Sequence, residues 1–311
     1  MSKLVTVFGA AGFIGRYVVQ ELARRGARIR AVTRDPHSAQ SLKPLAALGQ
    51  MAIVRGSVTE EASVAAACEG ADTVINLVGI LSEGEQTFGA VHVAGARNVA
   101  KAANAAGASA LVHISAIGAD PEAEPAYART KGAGEGAVRD AFPGAIILQP
   151  SIVFGPEDEF LNRFASLIRM APIMPVVAGN AVFQPIYVVD LAEAIAEAAL
   201  RPEEHVGKSY ELGGPETVTM RELFAWIART IGKTESFVDV PDGVSGRLAA
   251  MFGWLPGAPL THDQWLMLQR PNVVSGENGC AALEVDPTPL EAVAPNWMVR
   301  FRRQGRFTKL P

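Results

Sequence analysis

A chain of 311 residues with 49% hydrophobic and 19% charged side chains can bury a sizeable core, which excludes a disordered or fibrous protein. Its formal net charge of -4 supplies no broad basic field, and no zinc-finger or RNA-binding spacing occurs, so nucleic acid is excluded as a partner class. The two cysteines, Cys68 and Cys280, build neither a disulfide framework nor a CxxC metal site, so no metal is expected and a reducing, cytoplasmic compartment is.

From the N-terminus, apolar β-rich runs alternate with Ala-rich helical stretches. The predicted strands are Lys3–Phe8, Arg28–Thr33, Met51–Arg55, Thr73–Leu77, Ala110–Ile114 and Ala145–Leu148. Strands spaced by helices imply repeated βαβ units and a parallel sheet. The first strand is reached at once and followed by three glycines before Arg16, which does not fit a secretory leader.

Gly9, Gly12 and Gly15 stand in a GxxGxxG spacing between the first strand and a helix carrying Ile14, Val18 and Leu22 at helical intervals. Without side chains there, the backbone can approach a pyrophosphate, and the N-terminus of the helix supplies its positive dipole. The alternative is a tight turn that needs small residues only for packing. The expected fold is therefore α/β, a Rossmann-type doubly wound parallel sheet with a small C-terminal α/β lobe. Residues 1–150 form the NADP(H)-binding core, and 151–311 complete it and add a substrate or partner lobe with a basic tail.

The residues expected at the dinucleotide are Gly9, Gly12, Phe13, Ile14, Gly15, Arg16, Arg34, Ser57, Val78, Lys131 and Pro150. Arg34 and Arg16 bring two guanidinium groups toward a 2′-phosphate, which favours NADP(H). Asp35, some 20 residues past the turn, suits the ribose hydroxyls of NAD(H). It also precedes Pro36 and has a rival use as a helix cap, so NAD(H) stays open as the second choice.

Tyr127-Ala128-Arg129-Thr130-Lys131 sets a phenol and an ammonium at i and i+4, on one helix face beyond the fifth strand. Tyr127 is the candidate acid/base group, with Lys131 as its electrostatic partner and a ligand of the ribose. The rival reading is a half-buried tyrosine beside a solvated lysine.

Beyond Pro150 the rhythm breaks into Pro-rich loops, with helices expected near Leu161–Met170 and Leu191–Leu200. Met170 to Val189 is free of charge for 20 residues, yet Pro172, Pro175, Asn180, Gln184 and Pro185 make it buried loop and strand rather than a spanning helix. Thr288-Pro289-Leu290-Glu291 reads as a capping box with proline at the first helical position. Met251 to Gly257 reads as lobe core, or as a face for a lipid-like substrate or a partner. Arg300, Arg302, Arg303, Arg306 and Lys309, interleaved with Phe301 and Phe307 after Trp297, read either as a frayed terminus or as a surface for anionic membrane or a partner, aided by an exposed Trp297 or Phe301.

Together with Pro150-Ser151-Ile152-Val153-Phe154-Gly155-Pro156 and Gly213-Gly214-Pro215-Glu216, these motifs resemble the extended or atypical short-chain dehydrogenase/reductase superfamily. Val138 to Pro143, Phe154 to Ala165 and Gln184 to Asp190 resemble more closely the alpha-subcomplex subunit nine family of respiratory NADH:ubiquinone oxidoreductase. That resemblance implies a tightly held, structural NADP(H), partners among complex I subunits or quinone-related machinery, and a peripheral place on the inner face of the respiratory membrane.

The chain departs from active reductases of the superfamily. Ser115 is the candidate carbonyl-polarising hydroxyl, but it stands earlier than the usual position, which falls near Ile117. His92 replaces a common asparagine and reads as a packed or hydrogen-bonded helix residue, and Ser57 replaces an aspartate at the adenine. Enzyme status stays open between a cofactor-stabilised assembly module, an NADP-dependent oxidoreductase on a hydrophobic carbonyl or quinone-related substrate, and an NADP(H) redox sensor.

Overall fold

The computed structural model describes residues 2–241, 243, 246 and 261–307. The apolar segment Met251 to Gly257 and Lys309 lie outside the described residues. The chain divides into two compact units: unit 1 is Met1–Pro150, Val188–Leu212 and Gly276–Asp286, and unit 2 is Ser151–Tyr187, Gly213–Ser275 and Pro287–Pro311.

Unit 1 is built on a seven-stranded sheet of β1 (Leu4–Phe8), β2 (Arg28–Thr33), β3 (Met51–Arg55), β4 (Thr73–Asn76), β5 (Ala110–Ile114), β6 (Ile146–Pro150) and a later strand, β11 (Ser209–Leu212). Their order is β11-β6-β5-β4-β1-β2-β3, and every pairing is parallel. The order reverses on either side of β1, so the carboxyl ends of β1 and β4 open the crevice where such sheets take their ligands. β6 starts one residue later than expected and runs on to Pro150. β11 was not among the expected strands.

Helices α2 (Glu61–Cys68), α3 (Ala96–Ala105) and α4 (Ala126–Ala141) share one apolar layer with Phe8, Val32, Val74, Leu111 and Ile147. The helices α1 (Phe13–Arg24) and α6 (Val188–Leu200) pack on each other and on the sheet. Strand alternation sends β1 and β4 residues to both layers: Thr6 bonds the Ala67 carbonyl of α2, and Thr73 bonds the Ala199 carbonyl of α6. Each fully buried leucine, isoleucine or phenylalanine in these layers contributes about 1.5–3 kcal/mol.

Unit 2 gathers the short strands β7 (Val153–Phe154), β8 (Met174–Val177), β9 (Val182–Phe183), β10 (Ile186–Tyr187), β12 (Val218–Thr219) and β13 (Phe237–Val240) with helices α5 (Leu161–Met170) and α7 (Met220–Thr230). Phe154, Leu161, Phe183, Leu223, Phe224 and Met298 are among its core residues. The charge-free stretch from Met170 to Val189 runs from the last residue of α5 through β8, β9, β10 and their turns into the first residues of α6, and among the described residues no helix is long and apolar enough to cross a membrane.

The helix α9 (Leu290–Val293) has Pro289 as its N-cap rather than as its first helical residue, and Pro289 makes no side-chain cap bond. Capping boxes form at Thr219–Glu222, opening α7, and at Thr261–Gln264, opening α8 (His262–Leu268). Within unit 2 the described part of the tail packs through Met298 and Phe301. Trp297, on α10 (Pro295–Met298), is half-buried and lies parallel to Tyr187, and Phe301 is buried beneath the guanidinium groups of Arg169 and Arg300. Arg302 donates to the Thr230 carbonyl. Neither Trp297 nor Phe301 is the exposed anchor expected from sequence; of the tail aromatics only Phe307 is, at 88% exposure.

Candidate functional site

The glycine turn joins β1 to α1 and closes on itself, the Gly12 amide donating to the Gly9 carbonyl at 3.0 Å. Gly9 adopts a φ of 81°, a region that side chains avoid, and a Cβ there would meet Leu77 and Val78 at the end of β4. A Cβ on Gly15 would overlap the carbonyl oxygens of Gly9 and Ala10. Gly12 is the N-cap of α1, makes no side-chain cap, and is followed by no acidic residue in the first turn. Among the described residues the first turn of α1 thus has no acidic residue of its own to meet its free amides, the arrangement that suits an anion. Phe13 and Ile14 form the first turn of α1 beside this backbone, Arg16 stands exposed one residue further on, and Val78 lies against Gly9.

At the C-terminal ends of β2 and β3 a second polar group assembles. Exposed Arg34 donates to Gln86 Oε1 at 3.2 Å, the Gln86 amide reaches Thr59 Oγ1 at 3.5 Å, and Thr59 Oγ1 lies 2.8 Å from Ser57 Oγ. Arg34 and Ser57 thus share one hydrogen-bonded chain. Sequence reasoning missed Gln86 and Thr59, which carry no motif. Asp35 Oδ1 accepts the His37 amide at 2.9 Å in a local turn, whereas the N-cap of the next helix, the short 3-10 segment Ser38–Leu45, is His37 and not Asp35.

Tyr127 and Lys131 sit on α4 as predicted, but Lys131 is not a solvated lysine. It is buried, and its Nζ donates to the Ile114 carbonyl at 2.7 Å. Burial pushes its pKa down to about 8, against the opposing pull of Glu135. Half-buried Tyr127 is edge-on to Phe88 and His92, and burial pushes its phenol up to about 12. Ser115, just past β5, is only 4% exposed, and its hydroxyl has no hydrogen-bond partner among the described residues. Ile117, where the superfamily resemblance would place that hydroxyl, is buried and apolar. Pro150 closes β6, its carbonyl accepting the Ile117 amide at 3.1 Å.

Two histidines outside the predicted set lie within electrostatic reach of Lys131, and an asparagine joins one of them. His92 lies in a π-helical segment, Gly89–Gly95, is 2% exposed, and is held by burial and by Lys131 at a pKa of about 4. His113, on β5, is held well below the usual histidine range by burial, then by Lys131 and His92. Its Nδ1 lies 3.2 Å from the amide nitrogen of Asn76, whose Oδ1 accepts the Val78 amide at 3.1 Å. The signal for Asn76 and His113 is a polar residue near the carboxyl end of an otherwise apolar strand, in TVIN and LVHI.

A parallel sheet with a glycine turn at its reversal point and a Tyr–Lys helix beyond β5 defines a class of nucleotide-dependent α/β proteins. Residues 5–213 match the model of the NAD dependent epimerase/dehydratase family, and the chain belongs to that family. It is 33% identical over 304 residues, 96% of this chain and 80% of the relative, to NADH dehydrogenase (ubiquinone) 1 alpha subcomplex subunit 9, mitochondrial, of Rattus norvegicus. It is 29% identical to the ceramide reductase of Caulobacter vibrioides, over 77% of this chain and 74% of that one. Its fold is that of the NADPH-dependent quinone oxidoreductase of Escherichia coli solved with NADPH, with a TM-score of 0.74 at 20% identity, covering 94% of this chain and 98% of that one.

Proposed function

We propose that this chain holds NADP(H) in unit 1 as a resident structural or regulatory group and serves as an accessory module of a respiratory NADH:ubiquinone oxidoreductase. What supports the reading is the contrast between the room left at the glycine turn and the burial of the candidate hydroxyl. Gly9, Gly12 and Gly15 leave the room a pyrophosphate needs, whereas the polarising hydroxyl has retreated to buried Ser115 and its usual place is taken by Ile117.

In this reading Gly9, Gly12, Phe13, Ile14 and Gly15 face the pyrophosphate, with Val78 alongside. Arg16 and Arg34 meet the 2′-phosphate, and Ser57 lies toward the adenine. Lys131 and Pro150 serve the nicotinamide half. When bound, the group supplies a hydride donor or acceptor. Lys131 holds a ribose hydroxyl from a dry site, where its charge acts with little screening. Similarity to the mitochondrial subunit over nearly the whole chain supports an assembly role. Membrane proximity would come from the complex, aided by exposed Phe307 and the arginines around it.

A second reading, reduction of a hydrophobic carbonyl or quinone-related compound, is favoured by one observation: Tyr127 and Lys131 are both retained on α4. A turnover assay of the purified chain with NADPH and a panel of long-chain ketones and quinones separates the two. The accessory reading expects no turnover above that of Tyr127→Phe. Turnover that disappears in Tyr127→Phe makes the chain an oxidoreductase.

A further inference from the structure

His92 touches both halves of the candidate site at once. Its Nε2 lies 3.1 Å from the Ile80 amide and can only accept there. Its Nδ1 lies 3.0 Å from Thr130 Oγ1, a hydroxyl within donating distance of the Ala126 carbonyl at 2.8 Å and the Tyr127 carbonyl at 3.1 Å. A hydroxyl that spends its single proton on a helix carbonyl must accept from the imidazole. The two bonds together therefore fix one tautomer, neutral with the proton on Nδ1.

The groups so joined are functionally distinct. Ile80 ends the segment 77–80, whose Leu77 and Val78 pack on Gly9 of the glycine turn. Thr130 stands between Tyr127 and Lys131 on α4. The ring is clamped by stacking on Phe88 at 5.3 Å and meets Tyr127 edge-on at 5.5 Å. A Cβ placed on Gly79 would fall 3.7 Å from His92 Nε2 and 3.9 Å from Lys131 Nζ, so the segment, the imidazole and the ammonium converge on one point. The residue is carried by a π-helical turn, a costly local geometry found mainly at functional sites.

We infer that His92 is a positioning residue, a tautomer-locked bridge that holds the segment 77–80 beside the glycine turn in register with the Tyr127–Lys131 face of α4. This inference deepens the NADP(H) reading, yet the bridge itself is present in the protein alone. A glutamine in its place retains one acceptor and one donor, and a leucine retains neither.

The test is nitrogen-15 NMR of the full chain labelled at histidine and at backbone amides, for wild type, His92→Gln, His92→Leu and Thr130→Val, followed by NADPH titration of each. His92 is expected to carry its proton on Nδ1 with or without nucleotide, and in Thr130→Val to keep it there, because the Ile80 amide still needs an acceptor at Nε2. The Ile80 amide should exchange about tenfold faster in His92→Leu than in His92→Gln, and NADPH should bind about tenfold more weakly to the leucine variant, with the glutamine variant within about threefold of wild type. A wild-type His92 protonated on Nε2, or leucine and glutamine variants with equal Ile80 exchange, overturns the bridge. Failure of wild type to bind NADPH would refute the cofactor reading instead, and the tautomer and Ile80 exchange would still decide the bridge.

Discussion

Gly134 of α4 faces the backbone carbonyl of His92, so closely that a Cβ on Gly134 would overlap that oxygen. Two residues along the same helix, a Cβ on Gly136 would meet nothing within 4 Å. The same substitution should therefore have opposite signs. Gly136→Ala should stabilise by up to about 1 kcal/mol through helix propensity, while Gly134→Ala should destabilise by about 1–3 kcal/mol as helix and π-helical turn are forced apart. Chemical denaturation of both variants checks this, and two shifts of the same sign would contradict the close approach.

Lys131 is a buried ammonium whose pKa has fallen from its ordinary value to about 8. At neutral pH it is still mostly charged, at a cost on the order of 3 kcal/mol. Lys131→Met should accordingly raise the stability of the nucleotide-free chain by about 1–2 kcal/mol, the lost bond to the Ile114 carbonyl offsetting part of the gain. It should abolish tight nucleotide binding at the same time. Thermal unfolding with and without NADPH reads both effects, and a destabilised nucleotide-free variant would show that the ammonium is structural.

His92 and His113 are held neutral, at about 4 and well below the usual range, chiefly by burial. Between those values and the ordinary histidine value near 6.5, the unfolded chain binds protons that the folded chain refuses. Stability is therefore full above about pH 6.5 and falls as pH drops toward about 4, each ring adding a slope of about 1.4 kcal/mol per pH unit. His92→Gln should lose one ring's share of that slope. Urea unfolding at about pH 7 and about pH 5 measures it, and identical slopes in the two proteins would contradict the assignment.

Arg34 is exposed and bonded only weakly, to Gln86 at 3.2 Å, so it can turn to a 2′-phosphate at little cost. Arg34→Ala should weaken NADPH by about tenfold or more, the worth of a charge-assisted hydrogen bond, and leave NADH nearly unchanged. Calorimetric titration of both nucleotides checks this. Equal losses for the two would remove the 2′-phosphate from Arg34.

Much of unit 1 was legible in the sequence because its strands are continuous apolar runs punctuated by glycine, and the glycine turn and the Tyr127–Lys131 spacing are local patterns. β11 was missed because Ser209–Leu212 is a four-residue run holding Tyr210 and Glu211, far in sequence from the strand it pairs with. The short pairings of unit 2 have no periodicity to read. Thr288 to Glu291 has the composition of a capping box with proline at the first helical position, but the helix starts one residue later and Pro289 takes the N-cap position itself. The environment of Lys131 was hidden for a different reason: Asn76, His92 and His113 come from three separate elements, and only the packing of β4, β5 and the π-helical turn gathers them.

Native mass spectrometry of the freshly purified, buffer-exchanged full chain tests the central claim most directly. A resident cofactor predicts a mass increased by one NADP(H), released only on denaturation. A nucleotide-free mass that remains unchanged after incubation with excess NADPH would contradict it.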